Sequence, residues 1–190
     1  MPITRTNTPH AQTLLCPAPA RACPRACDLA RPAPLARPAG PESNLHLTLA
    51  FLGEADETTQ ARLIAAAERQ HCPPFSVHLD QTGWFQRAKA AWVGPGEWPN
   101  ELTVLARALR RHGEKLGLGN GEQGYRPHVT LSRKAGEAPG ELPAPDFLLR
   151  ADRFCLYQSV STPDGVHYEP LACWPLRARV KKPHREELTP

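Results

Sequence analysis

Alternating apolar and polar residues predict a strand in the segment SNLHLTLAFLGE, residues 43–54. Because successive side chains of a strand point to opposite faces, the alternation over 45–52 places one apolar row in a core. That row is Leu45, Leu47, Leu49 and Phe51. His46 and Thr48 are then expected to project together from the opposite face.

Shorter runs of the same kind predict further strands. They cover residues 75–80, 129–131, 147–149 and 154–160. GWF at 83–85 and AAWVG at 90–94 are expected as two further short strands, or as one strand and a turn. TPDG at 162–165 places a proline at the second position of a turn, so the chain from Val166 onward is expected to pair back as a hairpin. One more short strand is predicted at 13–16.

Two segments have the apolar spacing of an amphipathic helix. The first, 56–70, begins at Asp56, whose carboxylate suits an N-cap, and the second, 101–116, follows Pro99 and Asn100. Their core-facing residues are Leu63, Ile64 and Ala67 in the first helix and Leu102, Leu105 and Leu109 in the second. Strands outnumber helices and several turns are tight, so the predicted fold class is α+β with antiparallel sheets.

Proline content separates the first 43 residues from the rest of the chain. Of the 190 residues 22 are proline, which is above average usage, and many of them lie in 1–43 or in 139–145. Residues 1–43 are therefore interpreted as an atypical Pro/Ala/Arg-rich segment with one or two helical turns at 24–30, and partial disorder is an alternative there. The predicted domain covers 44–176, and 177–190 is interpreted as a mobile charged tail.

Charge and hydropathy indicate no membrane span and leave the partner open. The net charge of +4 permits an anionic substrate without requiring one. No run approaches the roughly 20 apolar residues of a membrane helix. The N-terminus has no apolar stretch for a secretory signal, so a cytoplasmic protein is expected, with its six cysteines as free thiols. A metal- or partner-binding appendage made by His10, Cys23 and Cys27 is a weaker alternative.

The pattern His-apolar-Thr-Leu occurs twice, at 46–49 and at 128–131, 82 positions apart. Recurrence of this pattern in a short chain favours duplicated lobes, which would bring the two strands together about a pseudo-twofold axis. The side chains expected to converge on one cleft are His46, Thr48, His128 and Thr130. The alternative is structural, with duplicated cross-strand polar pairs that only stabilise a sheet.

Two imidazoles and two hydroxyls in one cleft suit displacement at phosphorus. Imidazole has an unperturbed pKa of about 6.5, so a neutral ring accepts a proton while a protonated partner donates one. Threonine hydroxyls donate hydrogen bonds to anionic oxygens, and Arg133 or Lys134 would add positive charge. Such a site requires no metal if the two histidines move the protons, so no cofactor is expected.

The chain resembles the 2H phosphoesterase superfamily and, within it, the RNA 2′,3′-cyclic phosphodiesterases once called 2′-5′ RNA ligases. The likeness covers about residues 44 to 176, in the segments NLHLTLAFLGE, GWF…AAWVG, RPHVTLSR and LYQSVSTPDGVHYEPLACWPL. The paired H-x-T motifs define the superfamily. The FLG extension, Pro127 before the second histidine and the SxxxPDGxxY hairpin point to this branch.

The resemblance implies a bilobal, pseudo-twofold fold in which two antiparallel sheets flank a central cleft and the helices lie outside. It implies that His46 and His128 are the catalytic pair and that Thr48 and Thr130 hold the phosphate oxygens. The N-terminus departs from the family, because QTLLCPAPA is a poorer strand than the usual first strand and the proline-rich run after it is a poor helix. A sheet without that strand would have an exposed edge.

Arg133 and several aromatic residues are further candidates around the second motif. The resemblance implies that Arg133 is the family's basic residue there, yet regular alternation would point it away from His128. The strand must therefore end or bulge near Ser132 for Arg133 to reach a phosphate. Tyr125 adjoins the motif and is a candidate for binding substrate by stacking on a nucleobase. The other aromatic residues, expected chiefly to fill the core, are Trp84, Phe85 and Trp92.

The activity implied by the resemblance is hydrolysis of RNA 2′,3′-cyclic phosphate ends to 2′-phosphomonoesters, with reversible 2′-5′ ligation as an extension. Which histidine is the acid and which the base stays open, because the two motifs are nearly equivalent. Two other functions also stay open: a 2H phosphodiesterase acting on a small cyclic nucleotide or ADP-ribose derivative, and an inactive protein that binds RNA ends. The partners expected are RNA ends or nucleotides with a 2′,3′-cyclic phosphate, and the protein is expected to be a monomer.

Overall fold

The computed structural model describes residues 44–119, 124–133, 145–163 and 165–179, together with the backbone of 10–15. These ranges contain two helices, α1 (Glu57–Ala67) and α2 (Asn100–Glu114). Their strands are β1 (His10–Leu15), β2 (Leu47–Glu54), β3 (Phe75–Leu79), β4 (Gln81–Phe85), β5 (Ala90–Gly94), β6 (Val129–Arg133), β7 (Phe147–Ala151), β8 (Arg153–Thr162) and β9 (Gly165–Pro175). Neither helix in the described ranges has the length and apolar character needed to span a lipid bilayer.

The strands form two antiparallel sheets, which confirms the predicted α+β fold class. A seven-stranded sheet has the order β4-β5-β6-β2-β1-β8-β9, and β3 and β7 form a separate two-stranded sheet. The TPDG segment makes the predicted hairpin between β8 and β9, where Thr162 pairs with Gly165. Gly165 has a φ of 130°, a backbone conformation that favours glycine.

The two H-x-T strands are neighbours at the centre of the large sheet. Strands β2 and β6 are joined through the single pair Leu47 and Val129, each the residue that follows a motif histidine. A pair between equivalent positions of two repeats is what a twofold axis between them produces. The large sheet thus consists of two halves, β4-β5-β6 and β2-β1-β8-β9, that meet at the duplicated motif.

The N-terminal strand forms despite its poor sequence. Strand β1 lies between β2 and β8, with His10 opposite Glu54 on one side and Ser159 on the other. Backbone hydrogen bonds to both neighbouring strands stabilise β1, although its side chains give little sequence signal for a strand. The short strand predicted at 13–16 is therefore present and begins earlier, whereas the helical turns predicted at 24–30 lie outside the described residues.

Both helices pack their predicted apolar stripes on the sheet. Asp56 caps α1 by accepting a hydrogen bond from the Thr59 backbone N–H at 2.8 Å, as expected. Gly113 in α2 lies so close to β2 that a Cβ atom there would come within 2.6 Å of the Leu52 side chain. The buried helix residues include Leu63 and Ala67 from α1 and Leu102, Leu105, Ala106 and Leu109 from α2. The core is completed by buried residues of β2, β8 and β9, among them Leu47, Leu49, Phe154, Leu156 and Trp174.

The prediction that Phe51 of β2 lies in the core is wrong. Leu47 and Leu49 are buried, but Phe51 is 39% exposed while its neighbour Leu52 is buried. The register of β2 against β1 shifts twice, so that Leu49 and Leu52 are extra residues in β2. Each bulge reverses the alternation of faces, and the first one transfers Phe51 to the face of His46 and Thr48.

The expectation that all cysteines are free thiols is also wrong. Cys155 and Cys173 form a disulfide across β8 and β9, with their Cα atoms 4.0 Å apart. The uniform register set by the hairpin turn would place Cys155 opposite Ala172, and a bulge after Leu156 brings Cys173 into that position instead. Cys72 is free and buried, and burial raises the pKa of its thiol to about 11.

Candidate active site

Four polar side chains from the two motifs share one face of the sheet. Leu47 lies opposite Val129 in an antiparallel pair, so one step along each strand places His46 opposite Thr130 and Thr48 opposite His128. Residues directly opposite one another project from the same face. The two histidines then occupy diagonal positions, for which Cα atoms are about 7–8 Å apart. This spacing would leave room for one tetrahedral phosphorus between the two rings, as the predicted convergence of the four residues requires.

Each histidine is oriented by the same backbone contact. The His46 Nδ1 atom lies 2.7 Å from the Asn44 carbonyl oxygen, and the His128 Nδ1 atom lies 2.9 Å from the Arg126 carbonyl oxygen. A carbonyl only accepts, so Nδ1 is the protonated nitrogen in both rings. The lone pair of each neutral ring is consequently on Nε2, the nitrogen that exchanges protons with a ligand.

The environment of His46 keeps that ring neutral. The pKa of His46 is lowered from 6.5 to about 4, chiefly because the ring is buried. The Asn44 hydrogen bond opposes this shift, and the positive charges of Arg133 and His128 contribute to it. At neutral pH the ring therefore carries a lone pair on Nε2. This is the state that a general base requires.

An aromatic ring packs against each histidine in a matching way. Tyr168 of β9 meets His46 edge-on with ring centroids 4.5 Å apart, and Phe85 of β4 meets His128 edge-on at 4.8 Å. β4 and β9 are the two edge strands of the large sheet, so the pseudo-twofold relation extends to the walls of the site. The Asn44 side chain also donates a 2.6 Å hydrogen bond to the Val166 carbonyl, which ties the β8–β9 hairpin to the first motif.

Sequence reasoning did not assign a role to Tyr168 or to Asn44. Both residues were nonetheless inside segments that carried the resemblance, Tyr168 at the end of SxxxPDGxxY and Asn44 at the start of NLHLT. Phe51 was missed for a different reason, because alternation assigned it to the core. It is partly exposed on the same face as the histidines.

Arg133 reaches the site through the bulge that the sequence required. Ala91 pairs with Ser132, but the next residue, Trp92, pairs with Thr130, so Leu131 is an extra residue in β6. The bulge reverses the alternation before Arg133, which is exposed, and its charge acts on the His46 ring. The predicted bulge near Ser132 is thus confirmed, whereas Lys134 lies outside the described residues.

The threonine hydroxyls face the same cleft. Thr48 and Thr130 are partly exposed, and within the described ranges their hydroxyls make no hydrogen bond to another residue. A hydroxyl with one donor and two acceptor sites that is left to a ligand suits a phosphate oxygen.

Tyr125 supports the site from behind. Its hydroxyl donates a 3.2 Å hydrogen bond to the backbone carbonyl of Thr48, and the ring packs against the hydrophobic core. Burial raises the pKa of the Tyr125 hydroxyl well above its ordinary range, so it stays protonated and keeps donating. This contact positions the first motif, and stacking of Tyr125 on a nucleobase stays a prediction.

The other aromatic candidates divide between core and cleft. Trp92 is 4% exposed, as expected for a core residue, whereas Phe85 is only partly buried and contacts both Trp92 and His128. Trp84 is partly buried, and its indole donates to Gln86. Phe85 is therefore part of the site wall as well as of the core.

Nothing in the described residues forms a metal-binding group of three or more His, Cys, Asp or Glu side chains. This observation does not cover the metal- or partner-binding appendage considered from the sequence. Cys23 and Cys27 lie outside the described residues, and the side chain of His10 is not described.

Comparison with known protein families and sequences identifies one superfamily. The sequence pattern described as the 2′-5′ RNA ligase superfamily matches residues 19–162. The RNA 2′,3′-cyclic phosphodiesterase of Escherichia coli K12 is 36% identical over 135 residues, which cover 70% of this chain and 76% of that protein. A protein of the same name from Thermotoga maritima is 31% identical over 141 residues, covering 68% of this chain and 74% of that one.

Solved structures agree with the sequence comparisons. A crystal structure of a phosphoesterase superposes with a TM-score of 0.83 at 30% identity, covering 90% of this chain and 99% of that chain. The structure of E. coli LigT complexed with NADP+ gives a TM-score of 0.77 at 31% identity, with 90% and 98% of the two chains covered. E. coli LigT complexed with 3′-AMP gives 0.76 at 28% identity, with 88% and 98% covered.

Proposed function

The chain belongs to the 2′-5′ RNA ligase superfamily, and from that premise we propose that it hydrolyses RNA 2′,3′-cyclic phosphate ends to 2′-phosphomonoesters. The observation that carries the proposal is the pairing of Leu47 with Val129, each of which follows a motif histidine, because it brings the two strands of the duplicated motif side by side. The enzyme class expected from the sequence, a phosphoric diester hydrolase, agrees with the curated relatives named RNA 2′,3′-cyclic phosphodiesterase.

His46 is the general base in this proposal. Its Nε2 lone pair takes a proton from the water that attacks phosphorus, and its lowered pKa supports the role because the ring is neutral over the whole physiological range. Attack breaks the bond from phosphorus to the 3′ oxygen. The phosphate then remains on the 2′ oxygen as a monoester.

His128 is the general acid. It protonates the departing 3′ oxygen through Nε2 while Nδ1 keeps its hydrogen bond to the Arg126 carbonyl. The diagonal placement of the two rings supports this division, since in-line displacement needs its base and acid on opposite sides of phosphorus. If the 5′ hydroxyl of a second RNA end replaced water as the nucleophile, the same displacement would open the cyclic phosphate, release the 3′ oxygen as a hydroxyl and join the two ends by a 2′-5′ bond.

Charge on the phosphate is stabilised by the remaining motif residues. The Thr48 and Thr130 hydroxyls donate to the oxygens that neither attack nor leave, and Arg133 adds a positive charge. The two protons are moved by histidines alone, so the mechanism requires no metal. We also propose that the protein is cytoplasmic and acts as a monomer, because both motifs belong to one chain.

A small cyclic nucleotide is the second candidate substrate. E. coli LigT has been solved in complex with 3′-AMP, with ATP and with NADP+, so that relative binds free nucleotides. Parallel assays with a cyclic-phosphate oligonucleotide, a 2′,3′-cyclic mononucleotide and a cyclic ADP-ribose derivative separate the candidates. An inactive RNA-end-binding protein would bind the oligonucleotide and turn over none of the three.

The test of the proposal is hydrolysis in excess chelator by the wild type and by His46→Ala and His128→Ala. General acid–base catalysis contributes roughly 10²–10⁴-fold, so each variant should lose at least about 100-fold in kcat. His71→Ala is the matched control, because His71 is exposed and, within the described part of the chain, hydrogen-bonds only the backbone of Arg69. Activity close to wild type in either motif variant would reject the two-histidine mechanism.

A further inference from the structure

Arg126 carries a charge beside the second motif that the proposed mechanism does not use. Its side chain is exposed, and its guanidinium carbon lies 4.5 Å from the centre of the Trp92 ring. Among the residues that the structure describes, no carboxylate forms an ion pair with it. The guanidinium is therefore stacked on one face and open to solvent along its edge.

A continuous stack connects this guanidinium with the catalytic centre. Trp92 packs against Phe85 with centroids 5.5 Å apart, and Phe85 meets His128 at 4.8 Å. Trp92 is paired directly with Thr130, so its side chain projects from the same face of the sheet as the motif residues. The row Arg126, Trp92, Phe85 thus extends the cleft from His128 over the β4-β5-β6 half of the sheet.

The indole that supports Arg126 is held rigidly. Gly83 lies opposite Trp92 in the neighbouring strand, and a Cβ atom at Gly83 would come within 2.1 Å of the indole. A Cβ atom at Gly94 would lie 3.3 Å from the same ring. The ring therefore lies flat over the backbone of β4, and it presents a fixed aromatic surface to the guanidinium.

A guanidinium fixed in this way is suited to a phosphate. Stacking restrains its plane but leaves the N–H edge available, and this edge matches two oxygens of a phosphodiester. The reacting phosphate already has a cation near it, since Arg133 is the arginine whose charge acts on His46, and Arg126 is not among the groups that do so. Arg126 is thus directed at a second anionic group, on the His128 side of the cleft.

We infer that Arg126, seated on Trp92, binds the phosphodiester that precedes the terminal nucleotide of an RNA strand. The inference rests on the proposed function and deepens it. Only an oligonucleotide has this second phosphate, so the site selects cyclic-phosphate RNA ends over free cyclic mononucleotides. The preceding base has the exposed part of Phe85 beside it as a stacking surface.

The experiment compares a cyclic mononucleotide with a dinucleotide that ends in the same 2′,3′-cyclic phosphate. Arg126→Gln should lower kcat/KM for the dinucleotide about 10-fold more than for the mononucleotide, and Arg126→Lys should lose an intermediate amount because the charge remains without the planar stack. For the dinucleotide, the slope of log K against log salt concentration should be less steep in Arg126→Gln than in wild type by about 0.7, the value for one phosphate contact on a single strand. Arg107→Gln, an exposed arginine of α2, is the control and should change neither substrate.

An equal loss on both substrates would overturn the inference, because Arg126 would then act only through the loop that orients His128. Wild-type activity of Arg126→Gln on both substrates, with an unchanged ratio of their kcat/KM values, would overturn it as well. If the wild type hydrolyses neither substrate, the proposed function fails, and calorimetry with the two 2′-phosphate products tests Arg126 separately. A dinucleotide product that binds Arg126→Gln as tightly as wild type would contradict the inference there.

Discussion

The pKa of His46 gives the sharpest quantitative prediction of the proposed mechanism. Lowering the pH of the wild-type enzyme should protonate His46 only near pH 4, because burial disfavours the charged imidazole and Arg133 and His128 repel it. As the base must be neutral, the acid limb of the kcat/KM profile should fall near pH 4 instead of near the ordinary imidazole value.

The same shift has a defined energy and sign. Each pKa unit corresponds to about 1.4 kcal/mol, so a decrease from 6.5 to about 4 represents about 3 kcal/mol between folded and unfolded states. The unfolded chain binds the proton first as the pH falls. Stability is therefore fully present above about pH 6.5 and is lost progressively toward pH 4, where the folded ring also protonates.

Two measurements check the prediction independently of each other. Histidine ring signals followed by NMR from pH 3 to 8 should show one imidazole that titrates near pH 4 and that is missing in His46→Gln. Urea unfolding at pH 7 and pH 4 should show that His46→Gln loses about 3 kcal/mol less stability than wild type on acidification. In Arg133→Met the titration should move upward, because a charge that lowers the pKa of His46 has been removed.

An acid limb near pH 6.5 in wild type, with a His46 ring that titrates there, would refute this reasoning. It would mean that the ring is solvated in solution and that the two histidines are not distinguished by their surroundings. The division into base and acid would then have no physical basis.

Three further predictions concern the framework of the site. Tyr125→Phe removes a hydrogen bond to the backbone of β2 and should lower the free energy of unfolding by about 1 kcal/mol while raising KM, as measured by urea titration and steady-state kinetics. Reduction of the Cys155–Cys173 disulfide, which closes a loop with a sequence separation of 18, should lower stability by about 2–4 kcal/mol, and an unchanged urea midpoint with reductant would exclude the bond. Gly83→Ala should cost about 1–3 kcal/mol because its new methyl group overlaps the Trp92 ring, whereas a melting temperature equal to wild type would contradict that packing.

Periodicity was sufficient for the elements that carry the site. Alternation predicted the strand that begins beside His46, and helical spacing predicted the apolar faces of the two helices. All three elements are observed. The duplicated motif further predicted that two strands meet about an axis, and the pair Leu47 and Val129 lies where such an axis requires. The resemblance, confirmed by the family match over 19–162, supplied the chemistry that alternation alone does not contain.

The two errors have different causes. A bulge inserts a residue that local alternation does not reveal, and it reverses the side-chain faces beyond it, so Phe51 was assigned to the core. The free-thiol expectation came from the lack of a secretory signal, and the bulge that sets Cys173 opposite Cys155 left no sign of their pairing in the hairpin turn. The bulge before Arg133 was foreseen only because the chemistry demanded that residue on the other face.

Strand β1 shows a different limit of sequence reasoning. Its six residues lack a strong apolar alternation, yet they form an interior strand of the large sheet. This interior position comes from backbone pairing with two partners, β2 and β8, and such long-range pairing leaves little trace in a local sequence.

The central claim is that two imidazoles act on one phosphorus from opposite sides. Its most direct measurement is single-turnover hydrolysis of a 2′,3′-cyclic-phosphate dinucleotide in chelator, with products resolved by ³¹P NMR, for wild type, His46→Ala, His128→Ala and the double variant. We expect wild type to form only the 2′-phosphomonoester, each single variant to lose at least about 100-fold, and the double variant to lose little more than either single one, since residues that act as a unit are not additive. A single variant within a few-fold of wild type, or a 3′-phosphomonoester as the product, would contradict the account.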